Sequence, residues 1–454
     1  MPTITQSLNT LPRPKAHWLL GHSGQFSQDP LQFLIDCEQQ HGDIVPLRLG
    51  LSPACLISRP EYIEEILKER LVFIKNTPGW RAIRTLVGTG LLTSEGDFWA
   101  KQRRLTQPIF HQQRISGYAS LMVQATEQLL TTWQDEAERD VHQDMMQLTL
   151  GIVTQTIFNV DIAGPETQKI AHALDLSMEW FSLQQKQGFL IPPNVPLPAT
   201  RRYRAAVVEM DRFIYQLIQQ RRASPEASGD LLSMLLQVED EDGSRMSDRQ
   251  LRDELATLML AGHETTANAL AWTWMLLAQN PAAEKCLWQE LDTVLAGRAP
   301  TMADLSCLTY TQQVIKESMR LYPPVVLIAR SVTQDYALDG YTIPQNSVIL
   351  MSPWVMHRNQ DYFPEPDRFK PERWQGDLEK QLPKCVYLPF GEGPRICIGK
   401  SFAQMEAVLI LATLAQHYQV RLVEGQTITP LPSITLRPKT GIHVQLIQRH
   451  RQVA

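Results

Sequence analysis

The sequence predicts a mainly α-helical fold with a minor β region, and three observations carry that expectation. The chain has 454 residues, 43% of them hydrophobic, with no biased segment, so it can bury a large core. The stretch "SDRQLRDELATLMLAGHETTANALAWTWMLLAQNP" is apolar nearly all round over about 33 residues, which makes a buried central helix roughly 50 Å long. Strand-like stretches are short and lie towards the two ends of the chain.

Taken in order, "DIVPLRLG" (43–50) reads as a strand and the proline-rich "FLIPPNVPLPATRRYR" (189–204) as a semi-rigid surface connection between two helical runs. The acidic "EDEDG" (239–243) reads as a solvated loop before the central helix. That helix has Ser247 as its N-cap, Gln250 at N3 and Pro281 to enforce the stop. "SVILMS" (347–352) and "GIHVQLI" (441–447) are further strands, and after Cys397 a helix places Phe402, Met405, Leu409 and Ala412 on one face. The Trp and Met residues fall within helical segments as core. Length alone suggests about three domains, but no linker divides the chain, so residues 1–454 are expected to form a single domain.

Composition excludes several functions. A net charge of -5 without a long Lys/Arg block implies neither nucleic acid nor an anionic membrane as partner. The six cysteines are scattered without a C-x-x-C pair, which argues against a disulfide framework or a zinc knuckle and fits a reducing cytoplasm. The N-terminal "MPTITQSLNTLPRPKAHWLLGH" has no apolar run that spans a bilayer, so a soluble protein without a transmembrane anchor is expected.

Near the C-terminal end, "PFGEGPRICIGKSF" sets Cys397 among Gly391, Gly393 and Gly399, just before a helix. A cysteine in a chain of this size is usually a small buried hydrophobe, which leaves the glycines unexplained. Glycines let the backbone approach something flat, and a helix N-terminus favours a thiolate. A lone thiolate cannot complete a zinc site, but it can be the axial ligand of a haem iron, with an arginine such as Arg395 meeting a carboxylate.

At these residues "FGEGPRICIG" resembles the F-x-x-G-x-R-x-C-x-G signature of the cytochrome P-450 family of haem-thiolate monooxygenases, with Phe390, Gly393, Arg395, Cys397 and Gly399 on its defined positions. The resemblance runs from about residue 11 to the end and implies that fold, a central helix over the haem, and Cys397 as axial ligand. "KESMR" and "FKPERW" match the family's structural ion network with Glu317, Arg320 and Arg373. Read alone, such an i, i+3 pair is an ordinary helix-surface pair.

Within the central helix, "AGHETT" (261–266) puts an acid and two hydroxyls on an otherwise apolar surface, which needs partners or work. The H-E-x-x-H zinc motif fails because position 267 is Ala. By resemblance Glu264 and Thr265 form the family's proton relay, and Ala261 and Gly262 leave room over the haem. A back-bond from Thr265 to the carbonyl one turn earlier, with a local kink, is the competing reading, and both hold in part. "DFWAKQRRL" makes Trp99 and Arg103 propionate neighbours by the same resemblance, as it does Arg330 after "YPP".

The resemblance further implies non-covalent haem b (iron protoporphyrin IX), because the relatives that attach haem through an ester carry a glutamate where this chain has Ala261. It also implies insertion of one oxygen atom of O2 into a small apolar organic substrate, by hydroxylation or epoxidation. No fused reductase is expected, so electrons come ultimately from NAD(P)H through a separate ferredoxin or flavodoxin type partner with its reductase, docking on the cysteine side. Pocket walls by analogy are "GWRAIRTLVGTGLL", "MEWFSLQQ", Leu258, Ala261, Val326, Leu327 and "PLPSITL". Their apolar character suits a fatty acid, a terpenoid or a steroid-like molecule. A peroxide-using or isomerising relative would lack the acid–Thr pair. A haem-binding sensor or carrier would not need that pair, and a cofactor-free scaffold leaves the cysteine loop unexplained.

Overall fold

The structure is a computed structural model and describes residues 6–160, 165–187, 191–223, 230–240 and 243–449. The helices that position the site are α1 (Pro78–Val87), α2 (Gly96–Thr106), α3 (Val141–Phe158), α4 (Pro165–Gln187), α5 (Pro198–Ala223), α6 (Asp248–Gln279), α7 (Thr309–Leu321) and α8 (Lys400–Ala415). Helix dominates and sheet is minor, as the sequence predicts.

Helix α6 begins on a complete capping box: the Gln250 amide donates to Ser247 Oγ at 3.3 Å, and the Ser247 amide donates to Gln250 Oε1 at 2.8 Å. It ends at Gln279, with Asn280 as C-cap and Pro281 opening the next helix. Its apolar girth places it between two core clusters. One gathers α7, α8 and the C-terminal half of α6 around Trp272, Trp274 and Leu411; the other gathers α1, α3, α4 and α5 against its N-terminal half. Helix α8 buries the predicted face of Phe402, Met405, Leu409 and Ala412, and from Glu406 to Ala415 it is buried all round.

A five-stranded sheet lies to one side. Its strands are β1 (Ile44–Leu49), β2 (Ser52–Ile57), β3 (Phe73–Ile74), β4 (Ile328–Val332) and β5 (Val348–Met351), in the order β1-β2-β5-β4-β3. The β2–β5 pair is parallel with Ala54 opposite Val348, and β4 runs antiparallel to β5 with Arg330 opposite Ile349. Near the C-terminus come β6 (Tyr418–Leu422), the hairpin β7 (Pro430–Pro432) and β8 (Leu436–Pro438), and β9 (His443–Gln448), which pairs with β6. The three strands expected from the sequence are thus present within a residue or two at each end.

Two sequence expectations need correction. The proline-rich connection is shorter than 189–204, because α5 starts at Pro198, where the ring's fixed φ suits a first helical turn; residues 189 and 190 lie outside the described residues. The acidic loop is not simply solvated: Asp240 is nearly buried between Lys101 at 2.7 Å and Arg104 at 2.6 Å, which tie it to α2. Residues 241 and 242 of that loop lie outside the described residues.

Candidate functional site

The segment carrying Cys397 is held from below by a buried polar network. Glu317 on α7 accepts from Arg320 of its own helix, from Arg373 Nε at 2.8 Å, from Trp374 Nε1 at 2.9 Å and from the Lys370 amide at 3.0 Å. Arg320 also donates to the carbonyl of His357 at 2.9 Å, and His357 Nε2 accepts from the Leu388 amide at 3.0 Å. The network therefore reaches to within two residues of Phe390. From there the chain turns at Gly391 and Gly393, and the Cys397 amide closes the turn onto the Phe390 carbonyl at 2.9 Å. Gly393 has φ 72°, and a Cβ there would stand 3.1 Å from the Leu67 carbonyl oxygen, so both its conformation and its space require glycine.

Cys397 precedes α8, whose N-cap is Gly399. The residue keeps accessible surface, yet burial is the main influence on its thiol and raises its pKa. The Gly399 amide, Arg103, Lys75 and Lys400 act in the opposite direction. The amide at the helix terminus thus favours the thiolate, as the sequence leads one to expect, while desolvation acts more strongly against it. A coordinated metal would deprotonate the thiol outright.

Around the cysteine stands a group of buried cations. Arg395 lies over the Trp99 ring at 4.4 Å, donates to the Ser94 carbonyl at 2.8 Å and pairs with Glu95. Arg103, one turn after Trp99 on α2, donates to the Ile396 carbonyl at 2.9 Å. Arg330 on β4 is buried, and its pKa is lowered to about 10 by burial and then by Arg395. Lys75, which the sequence reading missed, is buried with its Nζ 3.0 Å from the Leu92 carbonyl; burial, Arg330 and Arg395 hold its pKa well below the usual lysine range. Glu95 accepts from both the Lys75 amide, at 2.8 Å, and Arg395. Only the sequence "FIKN" just before a Pro-started helix could have pointed to Lys75.

The donor set fits haem. Among the described residues no three His, Cys, Asp or Glu side chains converge on a point, so Cys397 has no co-ligands for a bare ion. The crowding of Lys75, Arg330 and Arg395 around Glu95 favours further negative charge, and the two carboxylates of a haem supply it.

On α6 the carbonyl of Ala261 accepts from Thr265 Oγ at 2.7 Å, so the back-bond is present, and the helix continues without interruption through both residues. Leu258, Ala261 and Thr265, at i, i+3 and i+7, retain accessible surface on a helix otherwise largely buried. Gly262 is partly exposed beside them, and a Cβ there would come 3.0 Å from Val153 Cγ2, so its missing side chain also admits α3. Glu264 is 1% exposed and accepts from Arg437 Nη2 at 2.6 Å, a partner from β8 that the sequence reading did not name.

Of the other wall residues, Val326 is buried in the larger core with Leu327 packed against it, and Leu258 packs against the other core. In "MEWFSLQQ", Met178, Trp180 and Phe181 are core residues, and Trp180 stacks on Tyr203 at 4.2 Å, so this segment joins α4 to α5 more than it lines open space. Ser182 reaches the hairpin, its Oγ lying 3.2 Å from Ser433 Oγ. On the outer surface, a groove of about 350 Å³ is lined by Trp99, Arg103, Arg104, Gln107, Pro108 and His111.

The model of one protein family, cytochrome P450, matches residues 11–445. Over 420 residues the chain is 39% identical to cyclooctatin synthase of Streptomyces melanosporofaciens, covering 92% of this chain and 91% of that protein. It is 37% identical over 411 residues to cyclooctat-9-en-7-ol 5-monooxygenase of the same organism, covering 90% and 89%. With pentalenene oxygenase of Streptomyces avermitilis it shares 30% identity over 439 residues, covering 96% and 97%.

Proposed function

The chain belongs to the cytochrome P450 family and is a monooxygenase of that family, and from that premise we propose that it oxygenates an apolar terpenoid. The observation that carries the haem-thiolate reading is Cys397, which among the described residues belongs to no metal-binding group of three, beside buried and half-buried cations gathered near Glu95. The terpenoid reading draws on the relatives named for cyclooctatin, cyclooctat-9-en-7-ol and pentalenene, and on the apolar residues beside Ala261.

When bound, haem b held by a cysteine thiolate would supply the activation of O2, with two electrons and two protons, and the insertion of one oxygen atom into a C–H or C=C bond. In this reading Cys397 supplies the thiolate, and the Gly399 amide tempers its charge. Arg103, Arg330 and Arg395, with Lys75, would supply the charge to neutralise the propionates, with Trp99 as their uncharged neighbour. Phe390 and Gly399 would help hold the haem beside Cys397. Ala261 has no carboxylate for an ester, so the haem would be held non-covalently, and the small side chain of Ala261 would leave room for O2 and substrate. Leu258, Ala261, Val326 and Leu327 orient the substrate through apolar contact and exclude water. Glu264 accepts a proton at its carboxylate and Thr265 Oγ holds it in place for delivery.

Electrons reach the site from NAD(P)H through a separate ferredoxin or flavodoxin type protein and its reductase. Arg103, which donates to the Ile396 carbonyl next to Cys397, lines a surface groove with Arg104, and positive charge there suits an acidic partner. Among the described residues no helix is long and apolar enough to cross a membrane. The reading treats 1–454 as one domain in the cytoplasm, a setting that suits six free cysteines.

A fatty-acid reading is the second choice, favoured by 27% identity to the human ultra-long-chain fatty acid omega-hydroxylase. Titration of the holoprotein with cyclic diterpene alcohols, sesquiterpene hydrocarbons, long fatty acids and steroids, read by the haem spin-state shift, separates the two. A shift with terpenoids, followed by their oxygenation in a reconstituted system, is the expected result. A response confined to fatty acids would overturn the terpenoid assignment.

A further inference from the structure

Glu264 has one strong partner and one idle oxygen. Its Oε1 accepts from Arg437 Nη2 at 2.6 Å, whereas Oε2 is buried with no hydrogen-bond partner among the described residues. Arg437 comes from the C-terminal hairpin and is 16% exposed, so its outer edge touches water. The hairpin is pinned to α6 by Trp272 Nε1 donating to the Leu436 carbonyl at 2.9 Å and by Asn268 Nδ2 donating to Thr435 Oγ at 3.1 Å. Arg437 therefore reaches Glu264 from a fixed base.

The other titratable groups facing this pair do not offer a permanent positive charge. His142 on α3 lies 3.0 Å from Asn268 Oδ1, and burial followed by Arg437 lowers its pKa. His263 on α6 sits with Nδ1 2.9 Å from the Met259 carbonyl, and burial lowers its pKa too. From α4, Asp175 is an acid whose pKa is raised, first by burial, with Arg437, His263 and His172 acting in the opposite direction. Arg437 is thus the sole permanent cation among the described groups that face Glu264.

We propose that Arg437 is a positioning residue for the proton relay: it supplies the counter-charge to Glu264, turns Oε1 to the hairpin and leaves Oε2 as the atom that takes and passes the proton. This rests on the relay role proposed above for Glu264. In the cycle, Oε2 takes a proton that entered from water, gives it up on the Thr265 side, and the carboxylate returns to Arg437, which stays charged throughout. Without Arg437 the buried carboxylate has no counter-charge and neutralises by holding its proton. A relay that cannot release is as ineffective as one that cannot accept.

The test compares R437M, R437K and R437M/E264Q with the parent holoprotein. Difference infrared spectra of the substrate-free proteins at neutral pH are expected to show a protonated carboxyl band in R437M that is absent from R437K and from R437M/E264Q. In turnover, R437M is expected to lose roughly tenfold in kcat with little change in KM, to show a larger solvent isotope effect and to have its pH profile displaced, with R437K restoring most of the loss. Absence of the band, its persistence in the double variant, or parental kinetics in R437M would overturn the proposal. Should R437M fail to fold, recovery of thermal stability in R437M/E264Q marks the stranded carboxylate as the cause, and no recovery overturns it. The infrared result needs no substrate, so it stands apart from the monooxygenase reading, whose failure would show as absent oxygenation by the parent protein.

Discussion

Glu317 and Arg320 face each other one turn apart on α7, fully buried, joined by two parallel hydrogen bonds of 2.9 Å. A forked guanidinium is needed for that geometry and for its further bonds to the carbonyls of His357, Pro366 and Arg368. Arg320→Lys keeps the charge and loses the fork. The expected cost is about 3–5 kcal/mol in urea unfolding, with loss of haem retention, because a buried carboxylate is left poorly compensated. A loss below about 1 kcal/mol would mean that the network does not anchor the cysteine segment.

Cys397→Ser is expected to abolish the thiolate signature in the absorption spectrum of the reduced, CO-bound protein, since oxygen donates far less electron density than sulfur. Retention of that signature would move the ligand to one of the other five cysteines.

Thr265→Ala removes the hydroxyl that here donates to the Ala261 carbonyl. Product formed per NADPH oxidised is expected to fall by on the order of 10²-fold, with peroxide released instead, while substrate affinity, set by apolar contacts, stays near the parent value. An unchanged ratio would reduce Thr265 to a helix-bending residue and pass its role to Thr266 or to water.

Glu406 on α8 is wholly buried, both of its carboxylate oxygens lack a partner that completes a hydrogen bond, and burial lifts its pKa from 4.5 to about 8, partly opposed by Thr266. The folded state therefore keeps a proton that the unfolded chain releases. The stability this contributes is fully present below about pH 4.5 and is lost as pH rises through about 8. Urea midpoints measured across that window should decline by an amount equivalent to a few kcal/mol, and Glu406→Gln should flatten the decline. An equal slope in the variant would assign the effect to other groups such as Glu254 and Glu284, whose pKa values burial raises to about 7.

What the sequence determined by itself is local in origin. A capping box needs residues three apart, Pro281 stops a helix by its own ring, and the apolar girth of 248–279 reads directly as burial, so α6 was legible almost to the residue. The cysteine loop was legible because its glycines, Arg395 and Cys397 lie within one short stretch. Tertiary structure alone decided the rest. Lys75 joined the cation group and Glu95 became its carboxylate only when the approach to α1, the start of α2 and the cysteine loop met. Gly262, read from the sequence as room over the haem, also has to admit Val153 of a neighbouring helix. Glu264 gained its counter-charge from a residue 173 positions away in sequence. The physical reason is common to these cases: hydrogen-bonded caps and helix periodicity are set by neighbours along the chain, whereas the balance between desolvation and charge at a buried group depends on which distant segments the fold brings against it.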